Sequence, residues 1–151
     1  MPGTNVQFSL ASHLMTVLAD SPTGYATSKE LAESISVNPT FIRKTIAKLG
    51  KAGLVFATRG AAGACRLARP PKNITLLDIY LASEGAPVFS VHTYPTSGKC
   101  SLGVTIKKRM GYVLNSAQKS FECKLASMTL YDLMPSSEHS VDSKRSSSLS
   151  C

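Results

Sequence analysis

The chain has 151 residues, 43% of them hydrophobic, and a formal net charge of +8 from 17 basic and 9 acidic side chains. That length accommodates one ordinary core, or a small domain with an appended element, and excludes two full-sized domains. The basic excess points to a polyanionic partner without naming it. No apolar run reaches membrane-spanning length, and MPGTNVQFSL has no basic stretch leading into an apolar one, so no membrane contact is expected and the cytoplasm is the expected compartment.

Residues 6–20 (VQFSLASHLMTVLAD) place Val6, Leu10, Leu14, Val17 and Leu18 at helical spacing, which predicts an amphipathic helix ended by the Asp20–Gly24 turn. Residues 27–36 predict a second helix, capped by Thr27 or Ser28 and carrying Glu30 where a capping box requires an acid. A third begins after a short gap, with Asn38 as cap and Pro39 as first helical residue. Its expected apolar stripe is Phe41, Ile42, Ile46 and Leu49, and Gly53 ends the segment. Residues 54–68 (LVFATRGAAGACRLA) read as a hairpin turning at 59–63. Residues 75–83 predict a short helix capped by Thr75, and 84–100 a Gly/Pro/Ser/Thr-rich linker. From Ser101 to Ala126, Leu102, Ile106, Met110, Val113, Leu114, Ala117, Phe121 and Leu125 form one long helical stripe. A short helix over 128–134 follows. The serine-rich tail needs no fold.

The expected organisation is therefore a domain over 1–83, a linker or sensor loop over 84–100, a long helix and short helix over 101–134, and a disordered tail over 135–151. The fold class is mainly α: a winged helix-turn-helix with a long C-terminal dimerisation helix. Residues 29–69 carry eight basic and two acidic side chains, so most of the charge excess sits on the expected reading head. A helix with an apolar back and a basic front fits the major groove, and its cations neutralise phosphate. Candidate DNA contacts are Ser28, Asn38, Pro39, Thr40, Arg43, Lys44, Lys48 and, in the hairpin turn, Arg59. The helix start near Asn38 is also a candidate phosphate site through its amides. The long stripe wants a partner, and two copies packed along it would match a palindromic operator.

Catalysis finds no support. The acidic residues scatter, the histidines lie far apart, and no metal-ligand, nucleophile-elbow or phosphate-loop motif is present. No catalytic or metal-ligating residue is expected. Cys65, Cys100, Cys123 and Cys151 form no C-x-x-C pair. Cys100, ahead of the long helix, and Cys65, beside the wing, are the candidate redox sensors, each with a purely structural role as its alternative.

The motifs NPTFIRKTIAKLGKAGLV (38–55), RGAAGACRLAR (59–69) and ITLLDIYLAS (74–83), followed by the long segment 100–134, resemble the Rrf2 family of bacterial winged-helix transcriptional regulators. The resemblance implies a homodimeric regulator, usually a repressor of stress, metal, redox or sulfur-related genes. It places the recognition helix on 38–49 and the wing on 57–66. Some members hold an iron–sulfur cluster on three closely spaced cysteines before the long helix. Here HTYPTSGKCSLG contains Cys100 alone, so the chain resembles the subgroup without that triplet, and no cofactor is expected. A release signal of redox or small-molecule type fits this subgroup. The alternatives are a non-specific nucleic-acid-binding or protein-adaptor winged helix, and, behind them, a cluster sensor.

Overall fold

A computed structural model describes residues 6–58, 63–95, 97 and 100–135. Arg59 and the expected disordered tail from residue 136 onward lie outside the described residues. The first helix, α1, spans Val6–Ala19 and buries Ala11, Ser12, Leu14, Met15 and Leu18. Val6, expected in the apolar stripe, stays exposed at the helix start.

The helix-turn-helix is built by local chemistry at each end. α2 (Ser28–Ile35) starts at Thr27, whose hydroxyl accepts the Glu30 amide at 3.2 Å while its own amide donates to the Glu30 carboxylate at 2.7 Å. The Thr27 amide and hydroxyl, both donating to it, hold the Glu30 carboxyl below its ordinary value. Ser36 adopts a left-handed φ of 58° and ends α2, and the Val37 amide reaches back to the Ala32 carbonyl at 3.0 Å. Asn38 then caps α3 (Pro39–Lys51) by accepting the Thr40 amide at 2.8 Å. Gly53, at φ +70°, turns the chain out of α3, and the Leu54 amide closes on the Leu49 carbonyl at 3.0 Å. The turn between α2 and α3 is thus only Ser36-Val37-Asn38.

The hairpin is β2 (Val55–Ala57) against β3 (Ala64–Leu67), paired Val55↔Leu67, Phe56↔Arg66 and Ala57↔Cys65. A strand absent from the sequence expectation, β1 (Ala26–Thr27), pairs with the other side of β3, giving the antiparallel order β1-β3-β2. Two residues carry too little pattern to announce a strand, and tertiary pairing alone defines this one. A 3-10 turn over Pro71–Asn73 leads into α4 (Leu76–Ala82), whose Thr75–Asp78 capping box repeats the Thr27–Glu30 geometry.

α5 spans Ser101–Ala126, about 39 Å at 1.5 Å per residue. Its far end is stitched to the domain. Leu130, in a closing 3-10 turn (Leu130–Leu133), donates to the Ile74 carbonyl at 2.8 Å, and Leu76 donates to that of Met128 at 2.9 Å. The expected single stripe divides into two. Leu114, Gln118, Phe121 and Leu125 turn toward the domain, whereas Leu102, Ile106, Met110 and Val113 are 45–65% exposed. No helix among the described residues is long and apolar enough to cross a membrane.

At the junction of α1, α4 and α5 sits Tyr80, wholly buried. Phe8 and Phe121 meet its ring edge to face, with centroids 5.6 and 5.4 Å away. A Cβ added at Gly85 would lie 2.6 Å from that ring. With Tyr80 wedged between two aromatics, Gly85→Ala is expected to destabilise the fold by about 1–3 kcal/mol, read as a lower midpoint in chemical denaturation.

Candidate nucleic-acid interface

α3 separates two chemistries by its 3.6-residue repeat. Ile42, Thr45, Ile46 and Leu49 are buried at i, i+3, i+4 and i+7. At about 100° per residue, Thr40, Lys44 and Lys51 fall on the opposite side, with Arg43 on one flank and Phe41 and Lys48 on the other. Phe41, expected in the apolar stripe, is 53% exposed, because it steps off the buried arc on the side away from Ile46. Thr45 takes the inner position instead. Its hydroxyl donates to the Phe41 carbonyl at 2.9 Å, so a polar side chain can be buried there without an orphaned group.

Thr40, Arg43, Lys44 and Lys51 are exposed. Among the described residues, Arg43, Lys44 and Lys51 have no ion-pair partner, whereas Lys48 lies 2.9 Å from the Glu84 carboxylate. Three cations thus face outward without an anion among the described residues. The first turn offers less than its sequence suggests. Pro39 has no N–H, the Thr40 amide is taken by the Asn38 side chain, and the Phe41 amide by the Asn38 carbonyl at 3.0 Å. Asn38 and Pro39 shape the helix start, and its amides are already engaged.

Ser28 is the first residue of α2, and its Oγ lies 3.9 Å from where a Cβ on Gly63 would stand. It therefore borders the wing. The wing closes through Thr58, whose amide and hydroxyl both donate to the Ala64 carbonyl at 2.8 Å. On its outer side Arg66 stacks over the Phe56 ring, 4.8 Å from the centroid. Arg66 was not among the DNA contacts expected from sequence. Its exposure follows from the alternation Cys65-Arg66-Leu67 once the hairpin register is known.

The two candidate sensor thiols differ. Cys65 is fully buried on the inner side of β3 and donates to the Ala26 carbonyl at 3.3 Å. Desolvation pushes its pKa up to about 11, which disfavours the thiolate that oxidation and alkylation require. Cys100 is exposed at the start of α5, and its side chain makes no capping hydrogen bond.

Known proteins agree with this architecture. The family model described as Rrf2, iron-dependent transcriptional regulator, matches residues 4–136. YwnA of Bacillus subtilis, which carries the name of an HTH-type transcriptional regulator, is 32% identical over 132 residues, 86% of this chain and 96% of its own. The solved structure of T. potens IscR is 30% identical with a TM-score of 0.60, covering 84% of this chain and 82% of that one. That of CymR, the global cysteine regulator of B. subtilis, is 26% identical with a TM-score of 0.56, covering 88% and 96%.

Iron held by a protein needs several donors at one point. Among the described residues no three His, Cys, Asp or Glu side chains gather as a metal site. Cys65 is turned into the core and Cys100 stands alone before α5. The donors described here do not fit a resident iron group.

Under native conditions at pH 8, iodoacetamide is expected to label Cys100 readily and Cys65 only after denaturant is added. Peptide mass spectrometry checks this, and equal labelling rates would contradict the buried, protonated state of Cys65.

Proposed function

We propose, from the premise that this chain belongs to the Rrf2 family and is a DNA-binding transcription regulator rather than an enzyme, that it works as a homodimeric repressor of a palindromic operator in the cytoplasm. The observation that carries this reading is the outer side of α3: exposed Thr40, Arg43, Lys44 and Lys51 opposite a fully packed back. In the proposed complex α3 lies in the major groove, where Arg43 and Lys44 reach base edges or phosphate and Thr40 a base edge or phosphate. Lys51 neutralises backbone. Ser28 and the wing, with Arg59 and Arg66, contact the flanking backbone or minor groove. Asn38 and Pro39 act by setting where α3 begins.

Pairing is assigned to α5. Leu102, Ile106, Met110 and Val113 recur at spacings of four, four and three residues, the rhythm of a helix–helix seam. Burying the exposed half or so of each of these large side chains in a partner would gain about 1–2 kcal/mol. The signal proposed for release is redox or small-molecule in kind, and exposure favours Cys100 over Cys65 as the responding thiol.

The test is a gel-shift series on duplexes selected from a random pool by the full chain. A repressor is expected to prefer the selected two-fold symmetric duplex over random DNA by about 4 kcal/mol or more, whereas a non-specific binder or protein adaptor shows no such preference. Arg43→Ala should lose about 1–3 kcal/mol on the selected site and relax its sequence preference. Lys51→Ala should weaken all duplexes alike. Met110→Glu should give a monomer by sedimentation and lose the preference for two half-sites over one. A monomeric wild-type chain, or equal affinity for selected and random duplexes, would overturn the reading.

A further inference from the structure

Lys48 stands apart from the other cations of α3. Its ammonium is paired at 2.9 Å with Glu84, while Arg43, Lys44 and Lys51 have no such partner among the described residues. Exposed ion pairs contribute little to stability, and Glu84 is a mostly exposed side chain. What distinguishes this pair is how firmly the anion is presented. Glu84 sits at φ +61°, a left-handed conformation that a residue with a Cβ adopts at a cost.

The loop that carries Glu84 is fastened along its length. The Gly85 amide donates to the Tyr80 carbonyl at 2.9 Å, and the Tyr80 ring fills the space that a Cβ at Gly85 would need. The Tyr80 hydroxyl donates to the Ala86 carbonyl at 2.6 Å. The Val88 amide donates to the Gln118 side chain of α5 at 3.0 Å, and the same carboxamide donates to the Tyr80 hydroxyl at 3.0 Å. An acid held in a strained conformation, by a loop bolted to α4 and α5, is aimed at one lysine of the helix that faces outward.

We propose that Glu84 is a positioning residue for DNA binding: its carboxylate occupies the place on Lys48 that a backbone phosphate takes in the complex. The proposal rests on the reading that the outer side of α3 meets DNA. Binding then exchanges one anion for another at Lys48. In the free protein Glu84 cancels that lysine's attraction for the duplex, and because the loop hangs from Gln118, the geometry of α5 sets how strongly it does so.

The experiment is fluorescence anisotropy of the full-length chain on a labelled duplex of random sequence, across a salt series, since a phosphate contact does not depend on sequence. Glu84→Gln keeps the side chain's shape and removes its charge. It is expected to tighten binding several-fold at low salt with little change in the dependence of log K on log salt, because Lys48 meets the same phosphate in both complexes. In a Lys48→Met background the same change should have no effect, and Lys48→Met alone should cost little. Circular dichroism confirms that each variant is folded. A gain that persists undiminished in the Lys48→Met background is a general charge effect and overturns the exchange, as does an unchanged affinity for Glu84→Gln. A wild-type chain that binds no duplex at all fails at the earlier step, the assignment of α3 to DNA.

Discussion

Tyrosine is best buried whole where its ring is packed and its hydroxyl has partners, since an orphaned hydroxyl offsets much of what the ring's burial returns. Tyr80 meets both conditions. Phe8 from α1 and Phe121 from α5 hold its ring, and Ala86 and Gln118 satisfy its hydroxyl. This one side chain therefore fixes the long helix to the reading head and sets the path of the loop that leaves α4. The Thr75–Thr129 bridge and the buried Leu125 and Leu130 secure the far end of the same contact. With its C-terminal half so held, α5 leaves its N-terminal half standing clear, and the apolar side chains there are exposed.

The reading head depends on a second division, that of α3 into a packed back and a charged front. The back is secured by Ile42, Ile46 and Leu49 together with the self-satisfied hydroxyl of Thr45. Ser36 and Gly53, each at positive φ, end α2 and α3 abruptly, leaving α3 a short helix packed on one side and exposed on the other. Arg43, Lys44 and Lys51 have no internal anion among the described residues, whereas Lys48, on the flank, is paired with Glu84 of the loop that follows α4.

Much of this was legible in the sequence because it is encoded locally. The Thr27–Glu30 and Thr75–Asp78 caps, the Asn38-Pro39 helix start and the 26-residue α5 all announce themselves within a few residues of their own position. What could not be read was set by contacts distant in sequence. β1 exists because β3 returns beside it 37–39 residues later. The division of the α5 stripe depends on which arc meets Tyr80. Phe41 and Thr45 exchange expected roles because a threonine hydroxyl can bond its own helix, which hydrophobicity alone does not show. In the interface, the charges of α3 were visible, but the pairing of Lys48 with Glu84, the placement of Arg66 over Phe56 and the burial of Cys65 required the fold.

In the proposed complex two copies of α3, related by the pairing of α5, read one duplex. Hydroxyl-radical footprinting of the full-length chain on its selected duplex tests it most directly. Paired protected patches related by a two-fold axis are expected, their centres about 10 base pairs, or a multiple of that, apart on the duplex. A single unsymmetrical patch, or uniform protection along the DNA, would contradict it.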